Sequence, residues 1–237
     1  MKFLCVFVSV IILFATGIFI VSKNSATTSA IVETYNKSTG YTVVLDAGHG
    51  GEDGGAVASD GTVEKNINLN ITENIALFFD LFGIDYISVR TEDISVCDDG
   101  LKTVRKRKVS DILNREAMVN STENAILLSI HQNFFTQSEY SGTQVFYSAN
   151  RVESSVLAQK IQEKVRNCLQ PDNTREIKKS GDNIYLLYNA KQIAVMVECG
   201  FLSNNAELEK LKDPVYNSQL SYCIVTGLID FITKRDV

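Results

Sequence analysis

The sequence predicts an α/β domain, a sandwich of helices on a largely parallel central sheet. Three observations carry that prediction. Apolar runs of strand length alternate with segments of helical periodicity from Tyr41 to Phe231. Helix ends carry recognisable caps, such as Gly83 after one periodic segment and Asp213-Pro214 before another. Three polar residues, His49, His131 and Glu198, stand where apolar strands end. Open parallel sheets place their ligand crevice at those carboxyl ends.

The elements follow in order. Tyr41 to Asp46 is a β-rich run that ends in the turn-prone Ala47-Gly48-His49-Gly50-Gly51. From Glu64, the residues Ile67, Ile71, Ile75, Phe78, Phe79 and Phe82 recur at helical spacing. Ile84 to Val89 reads as a strand. Residues 102 to 120 read as a charged helix with an apolar stripe at Val109, Ile112, Leu113 and Ala117. Ala125 to Ile130 is a buried strand ending at His131, and Gly142 to Ser148 alternates as another. Val156 or Leu157, then Ile161, Val165 and Leu169, mark a helix, with Pro171 beyond it. Ile184 to Leu187 reads as a short strand, and Ile193 to Val197 as a strand ending at Glu198. Tyr216, Leu220, Ile224, Leu228 and Phe231 form the apolar face of a closing helix. No internal repeat interrupts this order.

The first 40 of the 237 residues differ from the rest. Lys2 precedes an apolar run from Phe3 to Val21, broken only by Ser9, Thr16 and Gly17. At ~1.5 Å per residue such a run spans a ~30 Å hydrocarbon layer. It exceeds the ~7–15-residue apolar centre of a cleavable signal. Residues 1–22 are therefore expected to be an export signal or membrane anchor through residues 3–21. Small residues around Ala26 and Ala30 leave cleavage open. Residues 23–40 read as a polar linker and 41–237 as one catalytic domain. The expected location is the outer side of the cytoplasmic membrane, or the wall after secretion.

Charge excludes one class of function. The formal net charge is −5 and the isoelectric point is near 5.2, so no global basic field attracts nucleic acid. The basic run Arg105-Lys106-Arg107-Lys108 reads as a solvated helix face. Of five cysteines, Cys5 lies in the apolar run and the others are widely spaced without a CxxC pair. No disulfide framework is expected.

The chemistry centres on the strand ends. The chain has two histidines, and both follow apolar strands. Zinc takes nitrogen and carboxylate oxygen, and catalytic sites commonly offer three protein ligands. His49 and His131 supply two. Glu64, at the start of the helix after the glycine-rich loop, is the best third candidate, while spacing leaves Asp46, Glu52 and Asp53 open. Glu198 ends the apolar stretch Ile193–Val197, where desolvation raises a carboxyl pKa and suits a proton shuttle. Cys199 as nucleophile with His131 as base would leave Glu198 and His49 without roles. The glycines 48, 50, 51, 54 and 55 lack the Gly-Lys-Ser/Thr of a phosphate loop. They read as side-chain-poor backbone beside a metal site that admits a polymer.

These residues resemble a known family, the zinc-dependent N-acetylmuramoyl-L-alanine amidases, over residues 41 to 234. The motifs are VLDAGHGGEDGGA at Val44–Ala56, EKNINL at Glu64–Leu69, SIHQN at Ser129–Asn133 and VECGFLSN at Val197–Asn204. Four in order across one domain are specific. The chain departs from the family's frequent Asp-Pro-Gly-His at Ala47, and from its proline before the last strand at Gln192-Ile193. Neither position is a ligand.

The resemblance implies an open three-layer fold, with a mostly parallel sheet of about six strands flanked by five or six helices. It implies a zinc ion held by His49, Glu64 and His131, with Glu198 as the catalytic residue. The implied substrate is peptidoglycan, cut between the lactyl group of N-acetylmuramic acid and L-alanine of the stem peptide. Asn133 is a candidate substrate-side donor or a turn residue. A domain without wall-binding repeats behind an apolar segment resembles the germination-specific, spore-cortex members. Those act with a peptidoglycan deacetylase toward muramic-δ-lactam, which would place the chain in the forespore intermembrane space. The competing expectations are a vegetative autolysin of the same chemistry, a zinc peptidase cutting another wall peptide bond, and a non-catalytic wall-binding scaffold.

Overall fold

A computed structural model describes residues 40–234. The expected signal or anchor segment, and all of the linker but Gly40, lie outside the described residues. Among the described residues, no helix is long and apolar enough to cross a membrane.

The order is β1 (Thr42–Ala47), α1 (Glu64–Phe82), β2 (Tyr86–Ser88), α2 (Val104–Ser121), β3 (Ala125–Asn133) and β4 (Gln144–Tyr147). Then come α3 (Val152–Cys168), β5 (Lys178–Lys179), α4 (Tyr185–Asn189), β6 (Ile193–Phe201), α5 (Asn205–Lys212) and α6 (Pro214–Ile232). The strands form one sheet in the order β2-β1-β3-β6-β4-β5. Strands β2, β1, β3 and β6 run parallel, and β4 joins β6 antiparallel with β5 parallel to it. The open, mostly parallel three-layer plan is the expected one.

Alternation sorts the core into two layers. Val44, Leu127, Ala194 and Met196 face one side, where they meet Val119 of α2 and Leu186 and Leu187 of α4. The opposite layer is closed by α1, α3 and α6, with Ile71, Leu157, Ile161 and Ile224 fully buried. Burying each such side chain is worth about 1.5–3 kcal/mol. Gly227 lets α6 approach α3 closely, because a Cβ there would lie 2.7 Å from the Ile161 Cα.

Three differences from the sequence reading have physical causes. Ile184–Leu187 is not a strand; the region forms the short helix α4, pinned to α2 where Asn120 bonds the Asn189 carbonyl at 3.3 Å and the Lys191 amide at 2.8 Å. A four-residue apolar run carries no period that separates helix from strand. Helix α5 was not anticipated, although Asn204 caps it by accepting from the Ala206 and Glu207 amides. Strands β3 and β6 extend past His131 and Glu198, to Asn133 and Phe201. Both polar residues therefore pair inside the sheet, and a register irregularity follows between His131 and Asn133.

Candidate metal centre

The site forms where β1, β3 and β6 end and where α1 begins. The chain leaves β1 through Gly48 and enters α1 at Glu64 without a side-chain cap. The Glu64 amide instead donates to the Ala56 carbonyl at 2.9 Å, which folds the glycine-rich loop back over the helix start. The Glu64 carboxylate is thereby turned toward both histidines. Its Oε2 lies 3.3 Å from His49 Nε2, and its Oε1 lies 3.0 Å from His131 Nδ1. One donor atom from each of His49, Glu64 and His131 lies within 4.8 Å of the others. The imidazole rings meet edge to face with centroids 4.9 Å apart.

Two glycines leave room for this cluster. A Cβ on Gly48 would lie 2.2 Å from His131 Nε2, and one on Gly55 would lie 2.4 Å from Glu64 Oε2. Gly55 also has φ +70°, which glycine adopts without strain. The side-chain-poor backbone expected from the sequence thus has a steric reason.

Neighbours outside the cluster hold His49 and Glu64. Asp53 Oδ2 pairs with His49 Nδ1 at 2.9 Å, and Lys108 Nζ donates to the other Asp53 oxygen at 2.7 Å. Glu64 also accepts from the Ala56 and Gln132 amides and from Asn68 Nδ2. Burial alone would lower the His49 pKa, but the hydrogen bonds and charges of Asp53 and Glu64 outweigh it and raise it to about 9. Burial would likewise raise the Glu64 pKa, yet the hydrogen bonds from His131 and His49 hold it well below the carboxylate range.

Glu198 pairs in register with His131 on the neighbouring strand. Its Oε2 is buried without a hydrogen-bond partner. Burial is the main cause that raises its pKa to about 7, against the opposing charge of the histidines. Cys199 is completely buried, and burial followed by the Glu198 charge lifts its thiol far above the usual value. That placement argues against a nucleophilic thiolate. Asn133 lies at the end of β3, where its Oδ1 accepts from the Phe134 amide at 2.9 Å.

Of the carboxylates that spacing left open, Asp53 holds His49, and Glu52 and Asp46 are engaged elsewhere. Glu52 forms a two-pronged pair with Arg107, at 2.6 Å for each prong. Asp46 is buried against Arg115 and accepts from Ser129 Oγ at 2.6 Å. Arg115 also donates to the carbonyls of Ala47 at 3.0 Å and His49 at 2.8 Å, and to Asp111 at 2.6 Å. Arg90 donates to the carbonyls of Ala47 and Gly48, each at 2.9 Å. The sequence reading passed over both arginines. One signal was available: Arg115 sits between Ile112 and Val119 on the apolar stripe of α2, where a charge needs a buried partner.

The Asp46–Arg115 pair predicts a pH signature. Burial opposes ionisation of Asp46, but the Arg115 charge, helped by His131 and Ser129, holds its pKa below the ordinary value. Its contribution is therefore complete above the unfolded pKa of about 3.9 and is lost as pH falls through the lower folded value. Unfolding in denaturant should show a stability gap between wild type and Asp46→Asn that is widest near neutral pH and narrows in acid. A gap constant from pH 7 to 2 would refute the pairing.

The family model described as N-acetylmuramoyl-L-alanine amidase matches residues 43–230. The germination-specific N-acetylmuramoyl-L-alanine amidase of Bacillus subtilis (strain 168) is 32% identical over 197 residues, 83% of this chain and 82% of that protein. Among solved structures, the CwlD amidase from Clostridioides difficile, in complex with the GerS lipoprotein, aligns with a TM-score of 0.78 and 36% identity. It covers 81% of this chain and 98% of that one. An N-acetylmuramoyl-L-alanine amidase from Clostridium difficile 630 aligns at TM-score 0.72 and 25% identity, over 84% and 100% of the two chains. The chain belongs to the N-acetylmuramoyl-L-alanine amidase family and is an amidase of peptidoglycan.

Proposed function

We propose that the enzyme is zinc-dependent, that Glu198 is its catalytic acid–base group, and that its substrate is spore-cortex peptidoglycan. In this reading it removes stem peptides as a step toward muramic-δ-lactam. The observation that carries the chemistry is the convergence of the His49, Glu64 and His131 donors within 4.8 Å beside the unpartnered Glu198 Oε2. Two imidazoles and one carboxylate are a donor set that suits zinc in a catalytic site with an open position. A bound zinc ion supplies Lewis-acid polarisation of the scissile carbonyl and acidifies water.

The chain's own residues account for the remaining steps. Glu198 Oε2, free of other partners, takes a proton from the attacking water and delivers it to the departing alanine nitrogen. Burial raises its pKa to about 7, so near neutral pH the carboxyl can both accept and release that proton. Asp53 holds His49 by its Nδ1, leaving Nε2 for the metal, an arrangement common around zinc-bound histidine. In this reading Asn133, whose Oδ1 accepts from the Phe134 amide, donates to substrate through its Nδ2.

The spore-cortex assignment rests on the germination-specific relative, which matches over most of both chains. Export through residues 3–21, action on the outer side of the membrane and coupling to a peptidoglycan deacetylase belong to the same reading. Muropeptide profiling of spores from a deletion strain is the test. Cortex without muramic-δ-lactam alongside normal vegetative separation is expected. Normal lactam with chained vegetative cells would point to a division autolysin.

The two kinds of site residue should separate on substitution. Glu198→Gln is expected to retain stoichiometric zinc while turnover falls by roughly 10²–10⁴-fold, the range for losing a general base. Glu64→Ala is expected to lose zinc as well as activity. Elemental analysis of both purified variants beside their rates decides the matter, and a zinc-free Glu198→Gln would make Glu198 a ligand.

A further inference from the structure

The loop that carries His49 has an unusual backbone. His49 adopts φ +62°, a left-handed conformation that a side chain with a Cβ disfavours. The carbonyls of Ala47, Gly48 and His49 all accept hydrogen bonds from two buried guanidinium groups. Arg115 is 2% exposed and Arg90 is 4% exposed. Neither lies within the donor cluster of His49, Glu64 and His131. Arg115 reaches four acceptors at once: the Asp46 and Asp111 carboxylates and the carbonyls of Ala47 and His49.

We infer that Arg115 is the positioning residue of the metal site: with Arg90, it holds three successive carbonyls in the turn that aims His49, and so sets the affinity for zinc. The reason is geometric. Charge-assisted hydrogen bonds are roughly twice as strong as neutral ones, so they offset the left-handed strain at His49. The planar fork supplies five N–H groups in fixed directions. Lysine at the same place keeps the charge against Asp46 but cannot hold four acceptors in one arrangement. The turn would relax toward an ordinary φ, and the His49 ring would leave the position facing Glu64. Gly48 fits the same account, since its carbonyl takes bonds from both Arg90 and Asn68 while its missing Cβ makes room for His131.

This inference rests on zinc being the ion that the cluster holds, and one experiment keeps the two apart. The full chain is purified in mild detergent, stripped of metal, and titrated with zinc against a chromophoric chelator. Wild type, Arg115→Lys and Arg90→Lys are compared, with apo-state unfolding temperatures and the visible spectra of the cobalt-loaded forms. Failure of wild type to bind one equivalent overturns the zinc reading itself. If wild type binds, Arg115→Lys is expected to bind about 10–100-fold more weakly, the range for losing a group that orients a ligand. Its cobalt spectrum should shift as the coordination geometry changes. A lower unfolding temperature with unchanged zinc affinity and cobalt spectrum would overturn the inference, leaving Arg115 a purely structural residue. Should Arg115→Lys fail to fold, Arg90→Lys carries the test. It shares two of the three carbonyls, so a weaker zinc affinity supports the inference and wild-type affinity overturns it.

Discussion

The ion pair between Asp46 and Arg115, buried under α2, is the contact on which the arrangement of this enzyme depends. Asp46 is the penultimate residue of a central strand and lies three positions before His49 of the candidate metal cluster. Two charges out of water are costly, and removing one partner of such a pair typically costs about 3–5 kcal/mol because the other is left uncompensated. Net stabilisation is therefore a weak reason for its presence. Specificity is a stronger one, since the same guanidinium that neutralises Asp46 also bonds the carbonyls around His49. The pair ties the end of the sheet, the helix beneath it and the ligand loop into one unit.

Helix α2 does more than cover the sheet. Its basic run, read from sequence as a solvated face, reaches the ligand loop through Arg107 to Glu52 and Lys108 to Asp53. These two pairs are partly exposed to solvent, and such pairs add little to stability. Their value is positional, because Asp53 in turn holds the His49 ring. The chain from Lys108 through Asp53 to His49 to Glu64 alternates charge toward the cluster; against burial, Asp53 and Glu64 raise the His49 pKa, and His131 and His49 lower that of Glu64.

Much of this was legible in the sequence where the physics is local. The apolar runs ending at His49, His131 and Glu198 are strands because consecutive β-branched and aliphatic residues suit a sheet buried on both faces. The helix from Glu64 to Phe82 announces itself by a clear period and a left-handed glycine cap at Gly83. Long-range pairing was not legible. Arg115 and Asp46 are 69 residues apart, and Arg107 and Glu52 are 55 apart; no periodicity connects them. Asp46, Glu52 and Asp53 therefore looked equivalent as metal ligands, and only their partners in the fold distinguish them. Helix α5 is not legible because its eight residues bury only two apolar side chains, Leu208 and Leu211, too few to show a period.

The enzyme thus divides its labour by depth. Glu64, His49 and His131 meet at the sheet edge, Glu198 waits beside them with an unpartnered oxygen, and buried arginines hold the loop behind. The central claim is that this His–Glu–His cluster, and no sulfur, binds the metal. X-ray absorption fine structure at the zinc edge of the purified, zinc-loaded enzyme tests it most directly. The account predicts only nitrogen and oxygen neighbours near 2.0–2.2 Å, with the outer-shell pattern of two imidazoles. A sulfur neighbour near 2.3 Å would draw a cysteine into the first shell. A single-imidazole pattern would remove His49 or His131, and either result would contradict the account.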